Sequence, residues 1–401
     1  MSTTTVQIRC LCRANDFTIS CPTSKLPLSG LVCHCDSCRH LTGGLYSSGV
    51  AWPEGCSPNP ISDLADGQTS TSFGKLGSYS YQSITWHFCM VCGSPMALQP
   101  HRPELGPFCV ESGVIQNVTD KIVKYSMQIF VGDTKDGGAS NWIREVPGLA
   151  DDNTSGAQEK EGGKEGEGER EGHGWGEMKT WHGVNDNSTE LPRGWPNTSE
   201  SKQETETSSP ASPTDDRIQG SCKCGGVSFY LERPTPASLD PSLDLRTPSE
   251  MPDPTAEKSA WWIAGEHKDK FLTGLCTCES CRLASGVDFV NWAFIPRCNL
   301  FTSTGEPWSP SFGTLKSYKS SDKATWLFCG KCGTTCFLVC EKQRPQVIDV
   351  AAGTLWSYKG ARAENWLEWK KGDVSFLEEG EGRPLVEALK RGLGTSVSQC
   401  N

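Results

Sequence analysis

The chain has 401 residues, 21 of them cysteine, and a formal charge of −10. That length suits two or three domains with their own cores. No apolar run approaches the roughly 18 residues of a membrane-spanning helix, and Met1 to Cys10 lacks the basic and apolar regions of a signal peptide, so the sequence reads as cytoplasmic or nuclear. In those compartments thiols stay reduced, and an odd number of cysteines in any case does not pair fully within one chain, so metal rather than disulfides is expected to use them.

In chain order, Cys10-x-Cys12 opens a first module expected over residues 1–150. Cys33-His-Cys35-Asp-Ser-Cys38-Arg39 and Thr42-Gly43 follow, then Phe73-Gly74-x-Leu76-x-Ser78-Tyr79 and Thr85-Trp86-x-Phe88-Cys89-x-x-Cys92-Gly93. Ile122 to Val131 reads as a strand and Asp16 to Ser20 as a less regular one. Residues 151–216 carry 16 Asp or Glu against 6 Lys or Arg, so the whole net charge lies there and the rest of the chain is neutral. A neutral remainder offers no general attraction to nucleic acid or an anionic membrane. Glu159 to Gly174 is almost wholly Glu, Gly, Lys and Arg, too apolar-poor to offset its ordering entropy, and 151–216 is therefore expected to be a disordered acidic linker. Trp175, Trp181 and Trp195 do not suit plain disorder; they suggest docking on a neighbouring domain or a protein partner.

A second module, 217–393, repeats the first. It contains Cys222-x-Cys224, Cys276-Thr-Cys278-Glu-Ser-Cys281-Arg282, Ser285-Gly286, Phe312-Gly313-x-Leu315-x-Ser317-Tyr318 and Thr325-Trp326-x-Phe328-Cys329-x-x-Cys332-Gly333. Gly113 and Gly353 lie 21 positions beyond Cys92 and Cys332. Val227 to Leu231, Val287 to Ile295, Ala324 to Phe328, Cys336 to Val339 and Val347 to Val350 read as strands. The Pro-rich insertion 232–259 reads as a surface loop and 394–401 as a tail. A short helix is expected after Pro384, with Leu385, Ala388 and Leu389 on one face. The fold class is mainly β, a tandem duplication.

Cys10, Cys12, Cys89 and Cys92, and again Cys222, Cys224, Cys329 and Cys332, supply two short chelating pairs each, the pattern of a closed tetrahedral zinc site. Cys33, Cys35 and Cys38, and Cys276, Cys278 and Cys281, supply only three sulfurs. His34, His40 and His87 stand near the first copy's cysteines, but Thr277, Leu283 and Leu327 replace them in the second, so a design shared by both copies uses no histidine. Three ligands with an open position suit a catalytic or substrate-binding zinc, where an incoming thiol is held as thiolate; a fourth ligand would instead make these sites structural. Up to two zinc ions per module are expected. Cys21, Cys56, Cys109, Cys298, Cys336, Cys340 and Cys400 have no counterpart in the other copy and read as core or incidental, with Cys336 near enough to Cys332 to compete with it.

Gly220-Ser-Cys222-x-Cys224-Gly225-Gly226, the Cys-x-Cys-x-x-Cys-Arg-x-x-[Ser/Thr]-Gly block and Phe-Cys-x-x-Cys-Gly together resemble the glutathione-dependent formaldehyde-activating enzyme family, also called the centromere-protein-V/Gfa domain family. The resemblance implies Mss4-like modules of small coiled β-sheets. It also implies that the four-cysteine sets hold structural zinc and the three-cysteine sets, Cys33, Cys35, Cys38 and Cys276, Cys278, Cys281, catalytic zinc. The implied reaction is that of a carbon–sulfur lyase run in reverse, joining glutathione as co-substrate to formaldehyde as S-(hydroxymethyl)glutathione. Two departures stand out: Arg13-Ala14 replaces the family's Gly-Gly, and Thr277 replaces a histidine that the first copy keeps as His34. A non-catalytic zinc module that scaffolds a protein partner is the alternative, since such motifs encode metal sites rather than substrate choice.

Overall fold

Val6 and Ile8 on Thr3–Arg9, with Ile19 and Cys21 on Asp16–Pro22, are buried on one face of a hairpin, as alternation along a strand requires. The computed structural model, which describes residues 2–52, 76–149, 174–196, 216–251, 255 and 257–394, pairs these strands without interruption from Thr3 opposite Pro22 to Arg9 opposite Asp16. The segment expected to be less regular is thus a full strand. Arg13, at φ 60°, takes the left-handed backbone that Gly225, at φ 72°, takes at the same position of the second copy.

Each module contributes a large sheet. In the first, the order is Lys179–Thr180, Val123–Ile129, Leu28–Cys33, Ser47–Ala51, Cys109–Glu111, Pro95–Pro100, Ile84–Cys89, Leu76–Tyr81. The second repeats it from Leu367–Ser375 through Lys270–Cys276, Val290–Pro296, Val347–Ala351, Thr335–Cys340 and Ala324–Cys329 to Leu315–Lys319. In both, the strand leading into the three-cysteine segment pairs in parallel with a late strand. Both also slip register just before the Phe-Cys pair, at His87/Phe88 and Leu327/Phe328. The strands read from sequence are present; that read from Val287 starts at Val290, because Gly286 first ends a helix.

Three α-helices occur among the described residues: α1 (Asp36–Thr42), α2 (Glu279–Ser285) and α3 (Pro384–Leu393). The third was legible in sequence, and Leu385, Ala388 and Leu389 are buried on it as expected. The first two are too short to show a helical period. They begin where the Cys35 and Cys278 sulfurs accept the N–H of Cys38 and Cys281, each at 3.4 Å, and end at left-handed Gly43 and Gly286.

The linker expectation fails at 174–196. Trp175–Glu177 pairs with Glu145–Pro147, and Lys179–Thr180 adds a parallel strand to the first module's sheet. Met178 is fully buried. The backbone of Trp181 bonds Gln128 and Val131, the Trp195 carbonyl accepts from Asn141, and Trp175 lies beneath the Arg391 guanidinium. The first module's fold therefore runs past residue 150, using the apolar part of a segment whose average composition conceals it. The Glu-Gly-rich run, Phe73-Gly74, Cys56, Cys400 and residues 395–401 lie outside the described residues. The 232–259 insertion is not wholly surface either, since Ser238 and Asp244 are buried, Ser238 donating to Asn299 (2.6 Å).

The two modules share one core across a pseudo-symmetric seam. Gly113 N–H donates to Gly286 O and Gly353 N–H to Gly43 O, both at 2.9 Å. A Cβ on Gly113 would stand 2.3 Å from Gly286 C, and one on Gly353 1.8 Å from Gly44 O, so no larger residue fits. Phe88 of one module packs on Gly333 of the other, and Phe328 on Gly93. The repeated Phe and Gly of Phe-Cys-x-x-Cys-Gly are therefore seam residues as well as parts of a metal knuckle.

Candidate metal centres

The hairpin turn carrying Cys10 and Cys12 meets the Cys89-x-x-Cys92 turn at the end of Ile84–Cys89, and four sulfurs converge. Cys222, Cys224, Cys329 and Cys332 do the same in the second module. The family of contacts suits zinc: Cys10–Cys12 and Cys12–Cys89 sulfurs are 3.5 and 3.6 Å apart, and Cys222–Cys224 and Cys224–Cys329 both 3.5 Å. A tetrahedron with Zn–S bonds of about 2.3 Å needs sulfurs roughly 3.8 Å apart. Backbone N–H groups point at the same sulfurs, from Asn15 to Cys10 (3.3 Å), Val227 to Cys222 (3.2 Å), Gly226 to Cys224 (3.4 Å) and Lys331 to Cys329 (3.4 Å). Such donors favour thiolate, the liganding form. Ser94 and Thr334, at one repeated position, place hydroxyls 3.2 and 3.1 Å from Cys92 and Cys332. That position, directly after the knuckle glycine, carries a small hydroxyl in both copies and was readable in sequence.

Cys33, Cys35 and Cys38 form a third group and Cys276, Cys278 and Cys281 a fourth, each with its sulfurs within 4.8 Å of one another. Among the described residues no histidine or carboxylate completes either triad. Hydrogen bonding from Cys276, then Cys281, pushes the Cys278 thiol down to about 3, while the same contacts hold its two neighbours high. Cys35 is likewise held low between Cys33 and Cys38. Cys33, Cys35 and Cys278 are partly exposed, whereas Cys276 is buried and Cys38 and Cys281 are buried at the helix. Trp292 Nε1 adds a donor to Cys281 at 3.4 Å, with no equivalent in the first module, where Gly49 occupies that position. All four sulfur groups have the donor chemistry to hold zinc.

The histidines serve other ends. His34 is fully buried, its Nε2 2.9 Å from Gln128, and Gln128 in turn donates to Ser140 O (3.1 Å); burial pulls the His34 ring down to about 4. Thr277 takes its place by donating to Phe376 O at 2.6 Å. His40 bonds Ser221 O and His87 bonds Gln99. Cys336 is buried and its thiol donates to Thr334 O, so Cys332 alone completes the second four-cysteine set. The described cysteines form no disulfide. A seam cavity of about 850 Å³, bordered by Trp142, Trp369, Arg144 and Arg362, contains no cysteine.

One buried acid lies near the first triad. Glu111 accepts from Ser47 Oγ at 3.1 Å, and Ser47 pairs with Cys33 across the sheet. Burial pushes Glu111 up from its ordinary 4.5 to about 8. The folded protein thus keeps a proton that the unfolded chain releases at lower pH, so the associated stability is present below pH 4.5 and lost as pH rises through about 8. Glu111→Gln, neutral throughout, is expected to flatten that fall in urea titrations taken across the window. An unchanged slope would assign the pH dependence to another group.

Two tyrosines at one repeated position cross the seam. Tyr79 lies beside Cys222, Cys224, Cys329 and Cys332, and Tyr318 beside Cys10, Cys12, Cys89 and Cys92; burial first and then the thiolate charge raise both phenols. No helix among the described residues is long and apolar enough to cross a membrane. Comparison with curated proteins finds none that matches. The model of the family described as glutathione-dependent formaldehyde-activating enzyme matches residues 5–133 and 263–369, more than half the chain. The second match begins beyond Cys222 and Cys224, which the insertion separates from the rest but the fold returns to Cys329 and Cys332. With the sulfur geometry repeated in both halves, the chain belongs to the glutathione-dependent formaldehyde-activating enzyme family.

Proposed function

We propose that the protein joins a thiol to a small aldehyde, glutathione to formaldehyde by the family's name, giving S-(hydroxymethyl)glutathione. The observation that carries this reading is the contrast between two groups of four sulfurs, enough for a full tetrahedral shell, and two groups of only three. Cys10, Cys12, Cys89, Cys92 and Cys222, Cys224, Cys329, Cys332 would hold structural zinc. Cys33, Cys35, Cys38 and Cys276, Cys278, Cys281 would hold zinc with a position left for substrate. Bound there, zinc supplies a Lewis-acid position that favours the thiolate form of an incoming thiol. The chain's own part is to fix the three sulfurs at the end of a strand, at the N-cap and in the first turn of the short helix that follows. In the reaction a C–S bond forms, the carbonyl π bond breaks, and the proton lost by the thiol ends on the new hydroxyl, so no oxidant or reductant is needed.

Native mass spectrometry with and without glutathione, paired with a formaldehyde-consumption assay, tests the reading. Four zinc ions per chain and glutathione-dependent consumption are expected. The double variant Cys35→Ser, Cys278→Ser should retain two zinc ions and a melting temperature close to the parent's while losing consumption. Two zinc ions in the parent, with no glutathione adduct, would refute it. Of the tryptophans that the scaffolding alternative could use, Trp181 and Trp195 are held to their own chain through their backbones, and Trp175 stays exposed beneath Arg391.

A further inference from the structure

The second module's four-cysteine knuckle sits on the first module's triad helix. Lys223, between Cys222 and Cys224, donates its backbone N–H to His40 O (2.8 Å) and its ammonium to Ser37 Oγ (2.7 Å). Ser37 lies in the first turn of α1, between Cys35 and Cys38 of the triad. The Thr334 hydroxyl donates to the same His40 carbonyl (2.8 Å), and the His40 ring stacks on Trp356 at 4.0 Å. The Lys223 ammonium also lies 5.3 Å from the centre of the Tyr81 ring. Burial first, and then the neighbouring Cys38, Cys35 and Cys33, raises that phenol. A half-buried ammonium from the second module, held by a hydroxyl, thus stands beside the first module's triad.

The second triad is built differently at the same place. Leu11 occupies the position equivalent to Lys223, with its N–H on Ser94 Oγ at 3.0 Å, and Ser320 the position equivalent to Tyr81. Two cations meet that segment at Glu279, Arg9 and Arg282, and both are ion-paired with it.

We propose that Lys223 determines specificity at the first triad, receiving a carboxylate of an anionic thiol, so that such thiols bind at Cys33, Cys35 and Cys38 rather than at Cys276, Cys278 and Cys281. This rests on the thiol chemistry proposed above. Ser37 is a neutral partner that a carboxylate displaces from the ammonium without breaking an ion pair, whereas at the second triad Arg9 would have to leave Glu279.

The test compares glutathione with uncharged 2-mercaptoethanol on the full-length zinc-loaded chain, by calorimetric binding and separately by turnover. Lys223→Met is expected to raise the Kd and KM for glutathione roughly tenfold to a hundredfold, the usual loss for a hydrogen bond to a charged group. The kcat and all values for 2-mercaptoethanol should stay within about twofold, and Lys223→Arg should restore most of the affinity. Cys35→Ser should abolish glutathione binding and Cys278→Ser should not. Equal losses for both thiols would expose a folding defect and overturn the proposal, as would unchanged glutathione affinity. Binding without formaldehyde consumption would sink the reaction proposed above, while the Lys223 comparison would still decide this one.

Discussion

Cys329→Ser is expected to destabilise the protein by more than about 4 kcal/mol, the range in which loss of a metal falls, and to bring both modules down in one transition. Cys329 is fully buried, within the sulfur group of Cys222, Cys224 and Cys332, and accepts from Lys331 N–H and the Thr314 hydroxyl (3.0 Å). Serine is a harder, shorter and far less acidic ligand, so the site loses most of its affinity. The damage does not stop at one module, because Phe328, the preceding residue, packs on Gly93, and Tyr79 lies against the same cluster. Urea unfolding followed by tryptophan fluorescence, with zinc release read by a chelating dye, checks this. A transition confined to the second module would show that the seam does not couple them.

Arg383→Met should cost about 3–5 kcal/mol, the loss seen when one partner of a buried ion pair is removed. Arg383 is 5% exposed and its Asp288 partner is 0% exposed; they meet at 2.8 Å. Two further donors of the same guanidinium hold Ser112 O (2.8 Å) and Ile115 O (3.0 Å) across the seam. Removing it leaves Asp288 buried with, among the described residues, the Ser112 and Ser48 hydroxyls as its side-chain partners, leaves Ser112 O without its guanidinium donor, and leaves Ile115 O with Arg282 alone at 3.4 Å. Adding Asp288→Asn to Arg383→Met should recover part of the loss, as thermal melts would show. A loss below about 1 kcal/mol for the single variant would mean that the pair contributes little.

How much of this was legible depended on distance along the chain. The cysteine groups were readable because short chelating pairs recur at fixed spacing, and the strands because their β-branched runs end at turn residues. The repeated Phe88/Phe328, Tyr79/Tyr318 and Gly113/Gly353 were visible as repeats, yet their purpose was not, since each acts on the other copy. Helices α1 and α2 escaped because seven residues hold too little periodicity and their N-caps are metal-ligand cysteines rather than the usual Ser or Asp. Residues 174–196 escaped because Met178 and Thr180 are buried within a stretch dominated by charge. Lys223 gave no signal at all: only the fold reveals that a residue inside one module's knuckle touches the other module's triad.

The seam has one more consequence. In an assembly of two identical subunits every substitution is felt twice, so a buried acid placed on one side must be tolerated on both. Here the two sides are inherited separately. Asp288 faces Arg383, while its counterpart position holds apolar Leu45, and Glu111 is matched by Ala351. Covalent linkage also keeps the halves together at any dilution, since joining them makes their association intramolecular. Duplication followed by fusion thus frees each half to lose what the other supplies, and Lys223 in the second knuckle is the kind of change that such freedom allows.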